Sequence, residues 1–204
     1  MSFALPNPPL DSQATFRILL EAMASPGAVL PLPCVAAGVS TLSASVVQVL
    51  LTLADHETTV WMAPPLATED ALRFLRLGPG SPLAPNPAEA TFAVVALDAP
   101  FPLLREFAQG SALYPDQSTT LLLCCRHLST PSGGSGRVVL RGPGIPATQE
   151  VQGGRAFHAQ GASKDFWQQV AVNHGQYPLG VDLIFVSPDA VAALPRSTAV
   201  EWLD

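Results

Sequence analysis

Apolar positions recur along this chain with two periods, and each change of period predicts a change of element. Phe16, Leu19, Leu20 and Met23 share one face at helical spacing behind a potential cap at Asp11, and Ser25-Pro26-Gly27 ends the run. Arg17 and Glu21 lie one turn apart on the other side, as a solvated pair. After a short extended piece at 29–32, residues 43–55 are apolar nearly all round, which predicts a buried helix. Strands are expected at 58–62, 91–95 and 119–125, and helices at 68–77 and 102–109, with a proline-rich loop over 79–87. A glycine-rich turn at 132–136 precedes a further strand at 137–140, which suggests a local antiparallel pair with 119–125. Residues 164–174 form a helix with Phe166, Trp167, Val170 and Ala171 inward.

The stretch 177–198 is the most particular. A continuous apolar strand through Leu183, Ile184, Phe185 and Val186 carries one acid, Asp182, and Pro195 restricts the backbone just before Arg196. Ser187 as cap with Pro188 at the first helical position predicts a short helix ending by about residue 193. So short a connection cannot serve as a parallel crossover, so the strand at 198–202 is expected at an edge or antiparallel. Helices alternating with strands that are apolar on both sides predict a single domain over 1–204, a three-layer α/β/α sandwich around a mixed sheet.

Composition narrows the function classes. Only 13% of the 204 residues are charged, against about 25% in an average soluble domain, so part of a weakly charged surface is expected to meet other protein. A net charge of −6 and ten scattered basic residues exclude a nucleic-acid footprint. No apolar run approaches a membrane span and the first nine residues lack a basic region, so a cytoplasmic protein without a membrane is expected. Cys34, Cys124 and Cys125 read as reduced, buried thiols, the last two pointing to opposite faces of a strand.

Candidate chemistry is sparse. Asp55-His56-Glu57 places three potential ligands side by side, but neighbouring side chains diverge, and the histidines at 56, 127, 158 and 174 lack zinc spacing, so no metal is expected. Gly133 to Arg137 matches neither a nucleophile elbow nor a phosphate-binding loop. Arg141, Gly142 and Gly144 could present backbone amides and a guanidinium to an anion, or could make an ordinary tight turn, which is the preferred reading. Arg196 could likewise bind an anion, but an acid within an apolar strand needs a partner, so a structural Asp182 to Arg196 ion pair is preferred. Lys164 is the only lysine and starts a helix, a poor position for Schiff-base chemistry.

The blocks Phe16-Arg17, 20–27, 50–55, 90–94, 140–145 and 177–198, taken in order, resemble the PhnH family of bacterial phosphonate metabolism. The resemblance implies a fold like the large domain of pyridoxal-phosphate (PLP)-dependent transferases, used without that cofactor. It further implies a homodimer and a place beside the G, I and J subunits of the carbon-phosphorus lyase complex. The implied role is to support, with the G, I and L proteins, the displacement of adenine from ATP by a phosphonate to give a ribosyl phosphonate triphosphate, whose carbon-phosphorus bond the J protein then breaks. No catalytic residue carries over to this chain. The alternatives are a stand-alone transferase acting through Arg141 to Gly144 and Arg196, or a module that only binds an anion there.

Overall fold

The computed structural model describes residues 3–130, 136–146 and 153–203. Its centre is a six-stranded mixed sheet that runs, edge to edge, β1 (Leu30–Pro31), β9 (Ala190–Leu194), β8 (Asp182–Val186), β4 (Thr120–Cys124), β3 (Phe92–Ala96) and β2 (Val60–Met62). The parallel part comprises β2, β3, β4 and β8. β9 runs antiparallel to β8, and β1 pairs antiparallel with β9 at the edge.

Alternation along these strands feeds two cores. Val94, Leu122, Ile184 and Ala193 face α1 (Pro8–Ala24), α2 (Ala44–Leu53) and α3 (Glu69–Leu77). Ala93, Leu121, Leu123, Leu183, Phe185 and Leu194 face the other way, towards α4 (Lys164–His174) and a second sheet. That sheet has the order β10-β6-β7-β5, built from β5 (Leu128–Ser129), β6 (Arg137–Arg141), β7 (Arg155–Ala159) and β10 (Ala199–Leu203). An aromatic cluster joins its pieces: the Phe185 ring of the main sheet lies 5.2 Å from Phe157 of β7 and 5.9 Å, stacked, from Trp167 of α4.

The fold is therefore α/β with a mixed central sheet, but one outer layer is not purely helical. α4 shares that layer with a four-stranded antiparallel sheet, in which β6 pairs with β7 and β10 rather than with the main sheet.

Local signals account for the helices that formed where expected. The Ser43 hydroxyl accepts from Val46 N to cap α2, and Thr68 and Ser163 do the same for α3 and α4. Such caps contribute about 1 kcal/mol each, whereas burying Val46, Val49 and Leu50 contributes about 1.5–3 kcal/mol apiece, so burial is what holds α2.

Four sequence expectations are corrected. α1 begins at Pro8, with Asp11 accepting from Asn7 N within the first turn instead of capping. Its inward face is Thr15, Leu19 and Ala22, leaving Phe16 and Leu20 exposed on the same side as Arg17 and Glu21. The helix foreseen after Ser187 is a hairpin into β9: the Ser187 hydroxyl accepts from Ala190 N, and the amide of Ser187 donates to the Ala190 carbonyl. Helix 102–109 shrinks to a single 3-10 turn at Leu104–Glu106. The strand at 137–140 does not pair with 119–125; β6 pairs with β7 and β10 in the second sheet. Most of the glycine-rich turn between them lies outside the described residues.

Candidate functional site around Arg196

Asp182 opens β8, and β9 brings the chain back antiparallel, so Arg196, two residues beyond β9, returns to the level of Asp182. The carboxylate takes three bonds from Arg196: Oδ1 accepts from the backbone N at 2.8 Å and from Nε at 3.1 Å, and Oδ2 accepts from Nη2 at 2.5 Å. Nη1 donates to the Pro115 carbonyl at 2.7 Å and more weakly to that of Pro178 at 3.5 Å, while Nη2 also donates to the Ser118 hydroxyl. A guanidinium has five N–H donors, and these contacts use all five within the chain. The pair is largely buried, its side chains 12% and 18% exposed for Arg196 and Asp182. The arrangement is a clamp tying β8, the end of β9 and the 115–118 loop together. His174 Nδ1 lies 3.1 Å from the Arg196 carbonyl, adding the end of α4.

The glycine turn lies against this clamp. A Cβ on Gly142 would stand 2.9 Å from the Ser197 carbonyl oxygen, and one on Gly144 only 2.2 Å from that of Ala24. Both glycines have positive φ, 140° and 79°. The turn thus packs tightly between the end of α1 and residue 197. Arg141 Nη1 meets Glu201 Oε2 at 2.6 Å across the β6–β10 pair. So the structure brings Gly142 beside residues 197 and 198 and brings Asp182 to Arg196, while the Arg141 guanidinium pairs with Glu201.

The remaining candidates are dispersed. The Asp55 carboxylate accepts from Glu57 N at 2.9 Å and Thr58 N at 3.1 Å, which holds its pKa below the ordinary range. Among the described residues no three His, Cys, Asp or Glu side chains group to hold a metal ion. Cys124 packs on the first core and Cys125 on the second, and burial pushes each thiol up to about 12. Cys34 is exposed, contrary to the expectation that all three were buried.

A groove that the sequence did not single out lies between α4 and the 3-10 turn. It encloses about 290 Å³ and is lined by Leu103, Arg105, Gln109, Gln169, Val172 and Gln176, among others. Two amides flank Leu104: its backbone N donates to Gln169 Oε1 at 3.0 Å, and its carbonyl accepts from Gln109 Nε2 at 2.9 Å. Glutamines are unremarkable in sequence, and only the packing of the turn on α4 pairs these two.

The model of the bacterial phosphonate metabolism protein (PhnH) family matches residues 3–201. The chain belongs to the PhnH family. It is 32% identical over 200 residues to the alpha-D-ribose 1-methylphosphonate 5-triphosphate synthase subunit PhnH of Rhizobium meliloti (strain 1021), covering 98% of this chain and 95% of that protein. It is also 32% identical over 188 residues to the putative C-P lyase subunit protein HtxG of Stutzerimonas stutzeri, covering 92% and 85%. This PhnH-family chain has, among its described residues, no helix long and apolar enough to cross a membrane.

Proposed function

We propose that this chain is a non-autonomous subunit of a ribosyl phosphonate triphosphate synthase in carbon-phosphorus lyase metabolism. In this reading it acts with the G, I and L proteins in displacing adenine from ATP by a phosphonate, and it assembles in the cytoplasm as a homodimer with the G, I and J subunits. The observation that carries the reading is near full-length similarity to a protein named as a synthase subunit. The consumption of every Arg196 donor inside the chain agrees with a framework role for that residue. The fold is proposed to resemble the large domain of PLP-dependent transferases without PLP, and the single domain to span 1–204.

Co-expression with the G and I proteins is expected to give one complex on size exclusion; clean separation of this chain from both would overturn the reading. Turnover of ATP and a phosphonate by the purified chain alone would replace it with a stand-alone transferase. Calorimetric heat from either ligand, lost in an Arg141→Ala variant, would favour an anion-binding turn at Arg141, Gly142 and Gly144 instead.

A further inference from the structure

We infer that Arg137, with His158 and Ser129 beside it, binds the tetrahedral oxyanion of a phosphoryl or phosphonyl group on the outer face of the second sheet. The inference rests on the subunit reading and assigns it a substrate contact. Nε and Nη1 of Arg137 are buried and have no hydrogen-bond partner among the described residues. A charge held away from water without a partner is strongly unfavourable, so these donors call for an acceptor from outside the chain. Nη2 is not among the buried unpaired atoms, and both two-donor edges of a guanidinium, Nε with Nη2 and Nη1 with Nη2, include it. An oxyanion arriving from solvent at Nη2 therefore takes a buried nitrogen as its second donor.

Strand register accounts for the missing acid. Glu201 stands opposite Val139 across β6 and β10, which makes it the diagonal neighbour of both Arg137 and Arg141. Its carboxylate goes to Arg141, and the residue directly opposite Arg137 is Leu203. On the other side, the β6–β7 register carried one step beyond Val138 and Phe157 sets Arg137 opposite His158, and Ser129 of β5 stands opposite His158 in turn. Leu128, Val138, Phe157 and Ala159 fill the second core, so the alternate residues Ser129, Arg137 and His158 share the opposite face. The row from Leu203 to Ser129 thus holds a guanidinium, an imidazole and a hydroxyl but no carboxylate. One guanidinium edge satisfies both oxygens of a planar carboxylate, whereas a tetrahedral oxyanion keeps a third oxygen for donors on the neighbouring strands.

Calorimetry on the full chain, alone and co-purified with the G and I proteins, tests the site with methylphosphonate, ATP and acetate as probes. Methylphosphonate or ATP is expected to give heat at millimolar concentration, and whichever responds tells a phosphonate from a triphosphate as the source; acetate is expected to give none. Arg137→Met should weaken binding at least about tenfold and yet melt no lower than the unaltered chain, because it removes an unpaired buried charge. Ser129→Ala should weaken binding several-fold with the melting temperature unmoved. No heat from either phosphorus probe, unaltered binding by Arg137→Met, or equally tight binding of acetate would overturn the site. A clear fall in the melting temperature of Arg137→Met would also overturn it, by making the guanidinium part of the framework. Separation of the chain from G and I on size exclusion, with anion binding intact, would overturn the subunit reading alone.

Discussion

Arg196 shows how a single side chain can look like a binding group in sequence and act as framework in the fold. Its charge is matched by Asp182 and its remaining donors by Pro115, Pro178 and Ser118, so removing it strands an acid that is 18% exposed. Arg196→Gln is expected to lower stability by roughly 3 kcal/mol, a fall in melting temperature of roughly 6–12 °C, measurable by thermal denaturation. A stable, fully assembled but inactive Arg196→Gln protein would instead make this residue part of the chemistry. The thiols divide by burial in the same way. Iodoacetamide at neutral pH is expected to label Cys34 and to spare Cys124 and Cys125 until the chain unfolds, which mass spectrometry would read directly. Because burial raises the pKa of Cys124 from its ordinary 9.0 to about 12, the folded state holds its proton longer than the unfolded chain. That contribution is complete below pH 9 and is lost as pH climbs towards 12, so Cys124→Ala should lose stability less steeply over this alkaline range. The Asp182 to Arg196 pairing was open to sequence reasoning because an acid inside an apolar strand needs a partner; the role of Ser118 and Pro115 was not, since they stand about 80 positions away.

Elements were legible where capping and burial agreed. α4 is the clearest: Ser163 caps it, Phe166, Trp167 and Val170 are buried and its bounds match the periodic run, although Ala171, expected inward, is exposed and Asn173 is buried instead. α1 was misread in its rotation, because Phe16 and Leu20 are as apolar as Leu19 and nothing local says which faces the sheet. The hairpin after Ser187 was misread because Ser-Pro serves a helix start and a turn equally well; the choice fell to β9, whose alternate residues enter the two cores from either side of the sheet. The glycine turn belongs to this scale too. Gly144→Ala is expected to destabilise by more than about 2 kcal/mol, since the new Cβ would meet the Ala24 carbonyl at 2.2 Å as well as the strain of φ 79°. Gly80→Ala, at φ 77° but with nothing within 4 Å, should cost only the conformational strain of about 1–2 kcal/mol. Denaturant titration of the two variants separates packing from backbone strain.

At the scale of the whole molecule, the main sheet is covered on both faces, by α1 to α3 on one and by α4 with the second sheet on the other. Amide exchange is expected to be slowest in β4 and β8, each flanked by paired strands, and faster in β1 and β2 at the sheet edges and in β10 at the edge of the second sheet; mass spectrometry of exchanged peptides checks the order. A uniformly fast β4 would mean that the two cores do not hold the sheet from both sides. Taken alone, the order of residues determined the α/β class, most helices, the central strands and the resemblance that full-length comparison bears out, because periodicity, capping and ordered blocks are local or collinear properties. Tertiary structure alone decided that β6 and β10 leave the main sheet, that Arg196 spends its donors inside the chain, and that Gln109 and Gln169 meet around Leu104. Those outcomes depend on which distant segments compete for the same buried face and the same hydrogen-bond partners, and that competition is resolved only when the whole chain packs.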